Sequence, residues 1–276
     1  MQFKAIAWNL FHGRDFPPDP ALFTWRSRLL RFEERNATHV QVNRDLRAEF
    51  ASMLSGAEWD VALLQECPPR YAGPLAAACS AEAHRVLTSR NSFAPLRRAL
   101  AFLNPDLIAS GEGGSNLILV RTAGALGGIV ERRGMAIHTG RPERRAMGFA
   151  RTGSGVCVAN LHATNDIPAS AVEDVLLAAK RATEWAGDRP LIFGGDLNLR
   201  PGEDPAVFDR LRQSYGLEGT TGPRAIDHLL SRGLAAISPP TPWPTERREL
   251  DEEGLALRLS DHTPVEASFS TSEAGE

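Results

Sequence analysis

Polar residues with chemically useful side chains interrupt the apolar runs of this 276-residue chain at several points. Asn9 ends an alternating segment in AWNLFHGR, Glu66 follows a buried run in LLQE, and His162 follows another in NLHATN. Asp196 and Asn198 come just after a further apolar run, in GGDLN. Because the preceding segments are typical of β-strands, these side chains are expected at strand ends.

Two acid–histidine pairs are expected at the starts of strands and not at their ends. Asp227-His228 and Asp261-His262 stand directly before apolar runs near the C-terminus. In a sheet that contains antiparallel strands, the ends of some strands and the starts of others lie on the same edge. The sequence therefore predicts that these Asn, Glu, Asp and His side chains converge at one rim.

The residue types suit the hydrolysis of a phosphate ester assisted by a divalent cation. Glu66 and Asp261 carry hard oxygen ligands of the kind that Mg²⁺ or Mn²⁺ prefers, and Asn9 can add a carbonyl oxygen. Such a cation polarises the phosphoryl group and stabilises the charge that develops in the transition state.

Other residues of the set can deprotonate or orient a water molecule. The available groups are Asp196, Asn198 and a His262–Asp227 pair, in which the carboxylate fixes the tautomer of the imidazole. General acid–base assistance contributes roughly 10²–10⁴-fold, so the cation and other electrostatic effects must supply much of the remaining acceleration.

Each of these residues also has a structural interpretation when it is taken alone. Glu66 is then a solvated carboxylate at the end of a strand, and His162 is a hydrogen-bonded structural histidine. GGDLN is then a glycine-rich turn in which Asp and Asn bond the local backbone. Arg144-Arg145 is then part of a solvated face.

Strand-like and helix-like segments alternate along the chain and must position these residues. Short strands are predicted at Phe3–Trp8, Val61–Leu64, Asn116–Val120, Gly155–Leu161, Pro190–Phe193 and Val265–Phe269. The clearest helix covers Ser170–Trp185, where Ser170 and Glu173 fit a capping box and apolar residues recur on one face. Weaker helices are predicted at Asn43–Leu54, Tyr71–Ala83 and Asp204–Tyr215.

The remaining long segments carry loop signals. Phe93–Gly114 is predicted to be a flap beside the site, and the proline-rich and then charged segment Pro239–Gly254 is predicted to be a surface loop. The interleaving of strands and helices favours a single α/β domain over residues 1–270. Residues 271–276 are expected to form a short acidic tail that frays.

Composition excludes several classes of protein. A formal charge of −3 does not suggest a protein that coats polyanions. Three widely spaced cysteines argue against a disulfide framework and a structural zinc site. Without a signal-peptide pattern or a run of ~20 apolar residues, no membrane span is predicted and the expected location is the cytoplasm. No obligate protein partner is evident.

The motifs AWNLFHGR, LLQE, NLHATN, GGDLN, AIDHLL and SDHTP occur in an order that resembles the endonuclease/exonuclease/phosphatase superfamily of metal-dependent phosphoesterases. The resemblance extends from Asn9 to Pro264. It implies a four-layer α-β-β-α sandwich, with two mixed, largely antiparallel sheets packed face to face, helices outside, and the site at one rim.

The resemblance also implies roles for residues at matching positions. Glu66 becomes the principal metal ligand, with Asn9 and Asp261 nearby. Asp196 and Asn198 orient or activate water and hold the phosphate.

The same matching assigns the histidines. His262, supported by Asp227, is a base or a transition-state stabiliser, and His162 contacts the scissile phosphate or protonates the leaving oxygen. Asn116 and Arg145 fall where similar proteins often line the site, which makes them candidate substrate-binding residues.

Departures from subfamily patterns bear on the substrate. Similar abasic-site nucleases carry Tyr in place of His162 and Lys shortly after the glutamate, where this chain has Cys67-Pro68-Pro69. Both differences count against a dedicated abasic-site enzyme. A histidine in NLHA instead resembles the pancreatic-deoxyribonuclease, sphingomyelinase and inositol-phosphatase branches.

Three functions remain open at this point, and the first of them, that of a nuclease, is the leading prediction. The first is a Mg²⁺-dependent phosphodiesterase acting on nucleic acid, with a local arginine stripe formed by Arg132, Arg133, Arg141, Arg144, Arg145 and Arg151. The second is a phosphatase or phosphodiesterase acting on a small molecule or lipid head group. The third is a binding or scaffold protein that has kept the fold and lost turnover.

Overall fold

Two β-sheets face each other in the computed structural model, which describes residues 1–88, 94–139, 144–165 and 167–271. The strands are β1 (Gln2–Asn9), β2 (Glu34–Arg35), β3 (Val40–Gln41), β4 (Val61–Cys67), β5 (Ala81–Leu87), β6 (Ser115–Arg121), β7 (Ile129–His138), β8 (Arg145–Thr152), β9 (Cys157–His162), β10 (Leu191–Asp196), β11 (Asp227–Arg232), β12 (Ala235–Pro242), β13 (Glu249–Glu252), β14 (Leu255–Arg258) and β15 (Val265–Ser270). The helices are α1 (Trp25–Leu30), α2 (Arg47–Gly56), α3 (Ala72–Ala78), α4 (Ala94–Leu103), α5 (Pro105–Glu112), α6 (Pro168–Ala186) and α7 (Pro205–Tyr215).

The first sheet has the strand order β12-β15-β1-β4-β6-β5, and the second has the order β11-β10-β9-β8-β7. Within them, β1 pairs with β4 and β9 with β10 in parallel, whereas the other neighbours are antiparallel. The predicted pair of mixed, largely antiparallel sheets is therefore confirmed. This mixture brings the ends of β1, β4, β9 and β10 to the same rim as the start of β11.

Three hydrophobic cores separate the layers. The middle core lies between the sheets and contains residues such as Val61, Ile118, Val158 and Ile192. One outer core joins the first sheet to α2 and α3, and the other joins the second sheet to α6 and α7. These cores account for the predicted four layers of helix, sheet, sheet and helix, because each sheet buries both of its faces.

The six predicted strands are present with shifted boundaries. The strand expected from Gly155 begins at Cys157, and Gly155 lies before it in a turn with φ +88°. The strand expected to stop at Leu64 continues to Cys67. Gly194 and Gly195 belong to β10 and not to a turn. Glycine is required at both positions, because a Cβ atom on either one would collide with a carbonyl oxygen of a neighbouring strand.

The helix predictions need three corrections, the first of which is that the helix expected over Asn43–Leu54 begins at Arg47 and ends at Gly56. The capping box at Ser170 and Glu173 is wrong, because α6 begins at Pro168 and Ser170 lies inside its first turn; proline suits a first helical position, where its missing N–H is not needed. The helix predicted over Tyr71–Ala83 ends at Ala78, and the chain then turns into β5.

Two segments predicted as loops carry regular structure. Pro239–Gly254 contributes the end of β12 and all of β13, whose charged residues pair with β14 and gave no alternating apolar pattern. Phe93 and the tail residues 272–276 lie outside the described residues. The remainder of the predicted flap forms α4 and α5. A single domain over residues 1–270 stays a prediction.

Candidate active site

Three neighbouring strands of the second sheet present acidic and histidine side chains in one row. In the parallel pair β9–β10 His162 lies opposite Asp196, and in the antiparallel pair β10–β11 Asp196 lies opposite Asp227. Residues in register on adjacent strands point to the same face of a sheet. The row therefore forms one wall of the rim, and the pairing of the three strands fixes its position.

The Asp196 carboxylate lies at the centre of this wall. Its Oδ2 accepts a hydrogen bond from Asn9 Nδ2 at 3.0 Å and lies 3.5 Å from His162 Nε2 and 3.7 Å from His262 Nε2. Burial and then the negative charge of Asp227 raise the pKa of Asp196, because both disfavour a second charge here. The side chain is 2% exposed, so solvent screens these interactions weakly.

Asp227 and His262 form a close pair beside it. His262 Nδ1 donates to Asp227 Oδ2 at 2.8 Å, which leaves Nε2 directed towards Asp196. Burial alone would lower the pKa of His262, but the charges of Asp227, Asp196 and Asp261 outweigh it and raise the value to about 10. The backbone is anchored as well, since the His262 carbonyl accepts from Trp8 Nε1 at 3.0 Å.

Glu66 faces this row from the first sheet. It lies in an irregularity of β4, where the register with β6 shifts between Leu64 and Cys67, and its φ is +47°. Its Oε1 is 3.9 Å from His162 Nδ1 and its Oε2 is 3.2 Å from His12 Nε2. Burial opposes the charge of Glu66, but the positive charges around it, His12 first, lower its pKa to about 2.

His162 is neutral at physiological pH in this surrounding. Burial, followed by the charge of Arg145, lowers the pKa of His162 to about 3. Arg145 Nη1 is 3.3 Å from His162 Nδ1, and Nη2 donates to Asn165 Oδ1 at 3.4 Å. A sequence-predicted substrate-binding residue thus packs directly on the histidine, and it is 4% exposed.

The other predicted residues are placed differently. Asn9 Oδ1 accepts from the Phe11 amide at 3.0 Å, so its hydrogen bonds run to the backbone and to Asp196. Asn198 has φ +51°, and its Nδ2 donates to the Ala163 carbonyl at 3.0 Å. Asp261 is exposed beside the rim, with Oδ1 4.0 Å from His262 Nε2.

Asn116 is a buried residue of β6. It is fully buried between the sheets, and its Nδ2 donates to the Ala146 carbonyl at 2.7 Å. This bond ties the first sheet to the second, which favours a structural interpretation of Asn116 over contact with a substrate.

A cavity of about 600 Å³ opens beside the acid–histidine pair. Its wall includes Asp227, Asp261, His262 and Arg224, and a neighbouring loop completes it. Carboxylates, imidazole and a guanidinium therefore meet at a space that is large enough for a small phosphate ester.

The donor set at the rim fits a hard divalent cation. Ligand atoms of Asp196, Asp227 and His262 lie within 4.8 Å of one another, but His262 keeps its proton and already bonds Asp227, which favours Glu66 and Asp261 as the cation ligands. Across the rim, Glu66 and Asp261 repel one another electrostatically. Clustered carboxylates of this kind are characteristic ligands of Mg²⁺ and Mn²⁺, whose charge removes the repulsion.

Sequence reasoning missed three residues beside the rim. His12 follows Asn9 by three positions in AWNLFHGR, and the motif order gave it no role. Gln65 and Asn160 connect the sheets, since Gln65 Nε2 donates to Asn160 Oδ1 at 2.7 Å and Asn160 Nδ2 donates to the carbonyls of Leu64 and Leu117. Both lie inside quoted motifs, LLQE and NLHATN, which was the available signal.

Comparison with known proteins places this geometry in a family. The family model described as "Endonuclease/Exonuclease/phosphatase family" matches residues 6–262. No curated protein sequence shows a significant match to the chain. None of the helices in the described part of the chain combines the length and the apolar character of a membrane span.

Solved structures share the fold at low sequence identity. An endonuclease/exonuclease/phosphatase family protein from Bacteroides thetaiotaomicron is 15% identical with a TM-score of 0.63, covering 98% of this chain and 95% of that one. A mannosyl-6-phosphatase from the same organism is 15% identical with a TM-score of 0.60, covering 97% and 99%. A truncated TDP2 from Caenorhabditis elegans is 15% identical with a TM-score of 0.56, covering 97% of each chain.

Proposed function

This chain belongs to the endonuclease/exonuclease/phosphatase family, and from that premise we propose that it hydrolyses a small phosphate ester with the help of Mg²⁺, for which Mn²⁺ can substitute. The observation that carries the proposal is the row of His162, Asp196 and Asp227 on three adjacent strands, faced by Glu66 from the other sheet. Acids, a neutral imidazole and a charged imidazole at one rim are the groups that phosphate hydrolysis requires.

Glu66 holds the cation in this proposal, with Asp261 and the free lone pair of Asn9 Oδ1 as further ligands. The bound cation polarises the phosphoryl group and offsets its negative charge. His12 fixes the Glu66 carboxylate through the 3.2 Å contact of Nε2 with Oε2. Asn9 has a second task, since its Nδ2 orients the Asp196 carboxylate.

Asp196 orients the attacking water and accepts its proton, and Asn198 helps to hold the phosphate. His262 donates from Nε2 to a phosphoryl oxygen, since its Nδ1 hydrogen is already given to Asp227. This role favours transition-state stabilisation over general-base catalysis for His262, because an imidazole between three carboxylates retains its proton.

His162 contacts the scissile phosphate through a neutral imidazole, which Arg145 orients from Nδ1. A pKa of about 3 disfavours the alternative in which His162 protonates the leaving oxygen at neutral pH.

The pairing of three of the six predicted stripe arginines with acids supports a small substrate over nucleic acid. Of the predicted phosphate-binding stripe, Arg132 bonds Glu82 at 2.6 Å, and Arg133 and Arg151 both pair with Glu131. Paired arginines release few counterions from a nucleic acid backbone, so they add little to its binding. Arg141 lies outside the described residues.

The experiment is a hydrolysis assay on the purified protein with Mg²⁺, Mn²⁺ or EDTA. The substrates are p-nitrophenyl phosphate, bis(p-nitrophenyl) phosphate, plasmid DNA, single-stranded DNA and RNA. We expect cation-dependent release of p-nitrophenol and little cleavage of the polymers. Efficient cleavage of a nucleic acid would favour the phosphodiesterase acting on polymers, and its absence together with no ester hydrolysis would favour a silent binding protein.

A matched pair of variants tests whether the activity belongs to this site. Glu66→Gln keeps the shape of the side chain and removes its charge, and should lower kcat/KM on the order of 10³-fold. Glu203→Gln makes the same change on a side chain that is 70% exposed before α7, and should leave kcat/KM unchanged. Equal residual rates in the two variants would identify the activity as a contaminant.

A further inference from the structure

A second, smaller cavity of about 220 Å³ lies next to the rim. Its lining residues are Phe11, Arg14, Asp15, Phe16, Phe23, Arg28 and Asp106. The cavity is close to the proposed metal ligands, because Phe11 follows Asn9 by two positions and the Arg14 carbonyl accepts from the Ser260 amide at 3.0 Å, directly before Asp261. Nothing in the roles proposed above uses this space.

The cavity has aromatic walls. The rings of Phe11 and Phe16 meet edge to face with centroids 5.7 Å apart, and those of Phe16 and Phe23 are 5.6 Å apart. None of the three belongs to the hydrophobic cores that separate the layers, and Phe16 is 38% exposed. Aromatic rings in such an arrangement accept a further ring by stacking or edge contact.

Arg14 connects this aromatic wall to the rim. Its guanidinium lies over the Phe11 ring at 3.8 Å from the centroid, and its Nε donates to the Phe11 carbonyl at 3.3 Å. Its strongest electrostatic partner is Asp106, which also lines the cavity, followed by Glu66 and Asp261 at the rim. No carboxylate among the described residues lies within 4.0 Å of it, so its terminal nitrogens remain available to a phosphoryl oxygen, which guanidinium binds well.

We propose that this cavity, which we call the phenylalanine pocket, binds an aromatic ring carried by the phosphate ester while Arg14 binds a phosphoryl oxygen. The proposal rests on the proposed function and narrows its substrate class to esters with a ring close to phosphorus. The volume is sufficient, because a cavity of about 150 Å³ accommodates benzene. Bases stacked within a double helix cannot enter such a pocket, which agrees with the pairing of the arginines described above.

Binding of non-hydrolysable phosphonates tests the pocket without any turnover. Isothermal titration with Mg²⁺ present compares phenylphosphonate with methylphosphonate, which carry the same acid group and differ in the ring. We expect phenylphosphonate to bind the wild-type protein about tenfold more tightly, as burial and edge contact of one ring provide. Equal affinities, or binding of neither phosphonate, would overturn the proposal.

Matched variants locate the ring. Phe16→Ala should reduce the preference for phenylphosphonate to about twofold or less, because the ring then loses one wall. Phe32→Ala is the control and should leave the preference unchanged. Phe32 lies outside the pocket, is 50% exposed, and has the Arg26 guanidinium 5.1 Å from its ring centroid. Arg14→Gln should weaken both phosphonates and preserve most of the preference. An unchanged preference in Phe16→Ala would contradict the assignment.

Hydrolysis of two esters separates this proposal from the function on which it rests. If methyl p-nitrophenyl phosphate is hydrolysed in a manner that depends on Glu66 and phenylphosphonate has no advantage over methylphosphonate, the pocket proposal alone fails. If p-nitrophenyl phosphate and both the methyl and the phenyl p-nitrophenyl phosphates all remain intact, the proposed function fails.

Discussion

The two ends of the first sheet both carry charged residues around a cavity, but they treat those charges in opposite ways. At the far end, away from the rim, a cavity of about 530 Å³ is lined by Lys4, Glu58, Asp60 and Arg121, among others. Lys4 Nζ bonds Glu58 at 3.2 Å, and the two oxygens of Asp60 accept from the amides of Lys4 and Ala125. Charge at this end is compensated by partners in the chain.

The rim instead gathers like charges and strained backbone. Asp196 lies beside Asp227 and Glu66 beside Asp261, and the cationic partners within 4.0 Å of these carboxylates among the described residues are histidines, foremost His12 at Glu66 and His262 at Asp227. Five of the eight described non-glycine residues with positive φ lie here, namely Phe11, His12, Glu66, Asn198 and Ser260. Strain and repulsion of this kind persist where the surrounding structure enforces them, and they cluster at functional sites. Charges with hydrogen-bonded partners therefore lie at the far end of the first sheet, and the clustered carboxylates of the proposed site lie at the rim, to which both sheets contribute.

The largest effect should come from removing a rim charge. Asp196→Asn keeps an acceptor for Asn9 Nδ2 but places an N–H donor where Oδ1 accepts from the Asn198 amide at 3.2 Å. It also cannot accept a proton from water, so kcat should fall about 10²–10⁴-fold. The free energy of unfolding should change little, because removal of a buried carboxylate next to Asp227 offsets the lost hydrogen bond from the Asn198 amide. Steady-state kinetics with bis(p-nitrophenyl) phosphate and urea denaturation measure the two quantities. Loss of stability together with a near-normal kcat would reverse the interpretation of this end.

The same substitution at the far end should have the opposite profile. In Asp60→Asn one side-chain atom becomes an N–H donor and faces either the Lys4 or the Ala125 amide, so one hydrogen bond is lost. We expect the free energy of unfolding to fall by about 1–3 kcal/mol and kcat/KM to remain at the wild-type value. A fall in kcat/KM for the folded protein would show that the two ends are coupled.

Sequence patterns were sufficient for the rim but not for its details. Strand-ending polar residues predicted that Glu66, Asp196 and His162 converge, because residue order and mixed pairing determine which strand ends share an edge. The roles of His12 and Arg14 could not be predicted, since they depend on positive φ at Phe11 and His12, which neither residue favours. The irregularity of β4 at Glu66 could not be predicted from the sequence either, because it depends on the register with β6.

Outside the rim, the misses have local causes. The β13–β14 pair consists largely of charged residues, so no apolar alternation marked it. At α6, Ser170 and Glu173 match the residue pattern of a capping box but lie inside the helix, because the helix already begins at Pro168. The pairing with β14 determined the first structure, and the backbone angle of Pro168 determined the start of the second. Neither could be predicted from apolar patterns or composition alone.

Asp15 is a buried acid near the rim, and it makes the stability of the protein depend on pH. Its Oδ2 accepts from the Val42 amide at 3.0 Å, and its Oδ1 has no hydrogen-bond partner among the described residues. Burial raises its pKa from 3.8 to about 8, so the folded state holds a proton that the unfolded state has released. The contribution of Asp15 to stability is therefore present below roughly pH 4 and is lost as the pH rises to about 8.

We expect Asp15→Asn to remove this part of the pH dependence, because the amide does not ionise. Urea denaturation at pH 5 and pH 8 measures it, and the free energy of unfolding should fall less between these values in the variant than in the wild type. Asp209→Asn is the control, since that carboxylate is 57% exposed on α7. Parallel pH profiles for Asp15→Asn and the wild type would contradict a neutral Asp15.

The smallest effect concerns backbone strain at the two ends. Ser80 at the far end and Asn198 at the rim have similar φ values of +49° and +51°, and glycine relieves the steric penalty at either position. Ser80→Gly should raise the free energy of unfolding by about 0.5–1 kcal/mol, because relief of the left-handed conformation exceeds the added entropy of the unfolded chain. Asn198→Gly should gain less, since it also removes the hydrogen bond from Nδ2 to the Ala163 carbonyl.

Thermal and urea denaturation of both variants measure the difference. A larger gain in the free energy of unfolding at Asn198 than at Ser80 would mean that side-chain contacts do not maintain the strained backbone at the rim. Relief of strain would then exceed the stability lost with the hydrogen bond to the Ala163 carbonyl. A gain confined to Ser80 would instead mean that the Ala163 contact stabilises the strained conformation of Asn198. The strain at the rim would then be maintained by the same side chain that is proposed to hold the phosphate.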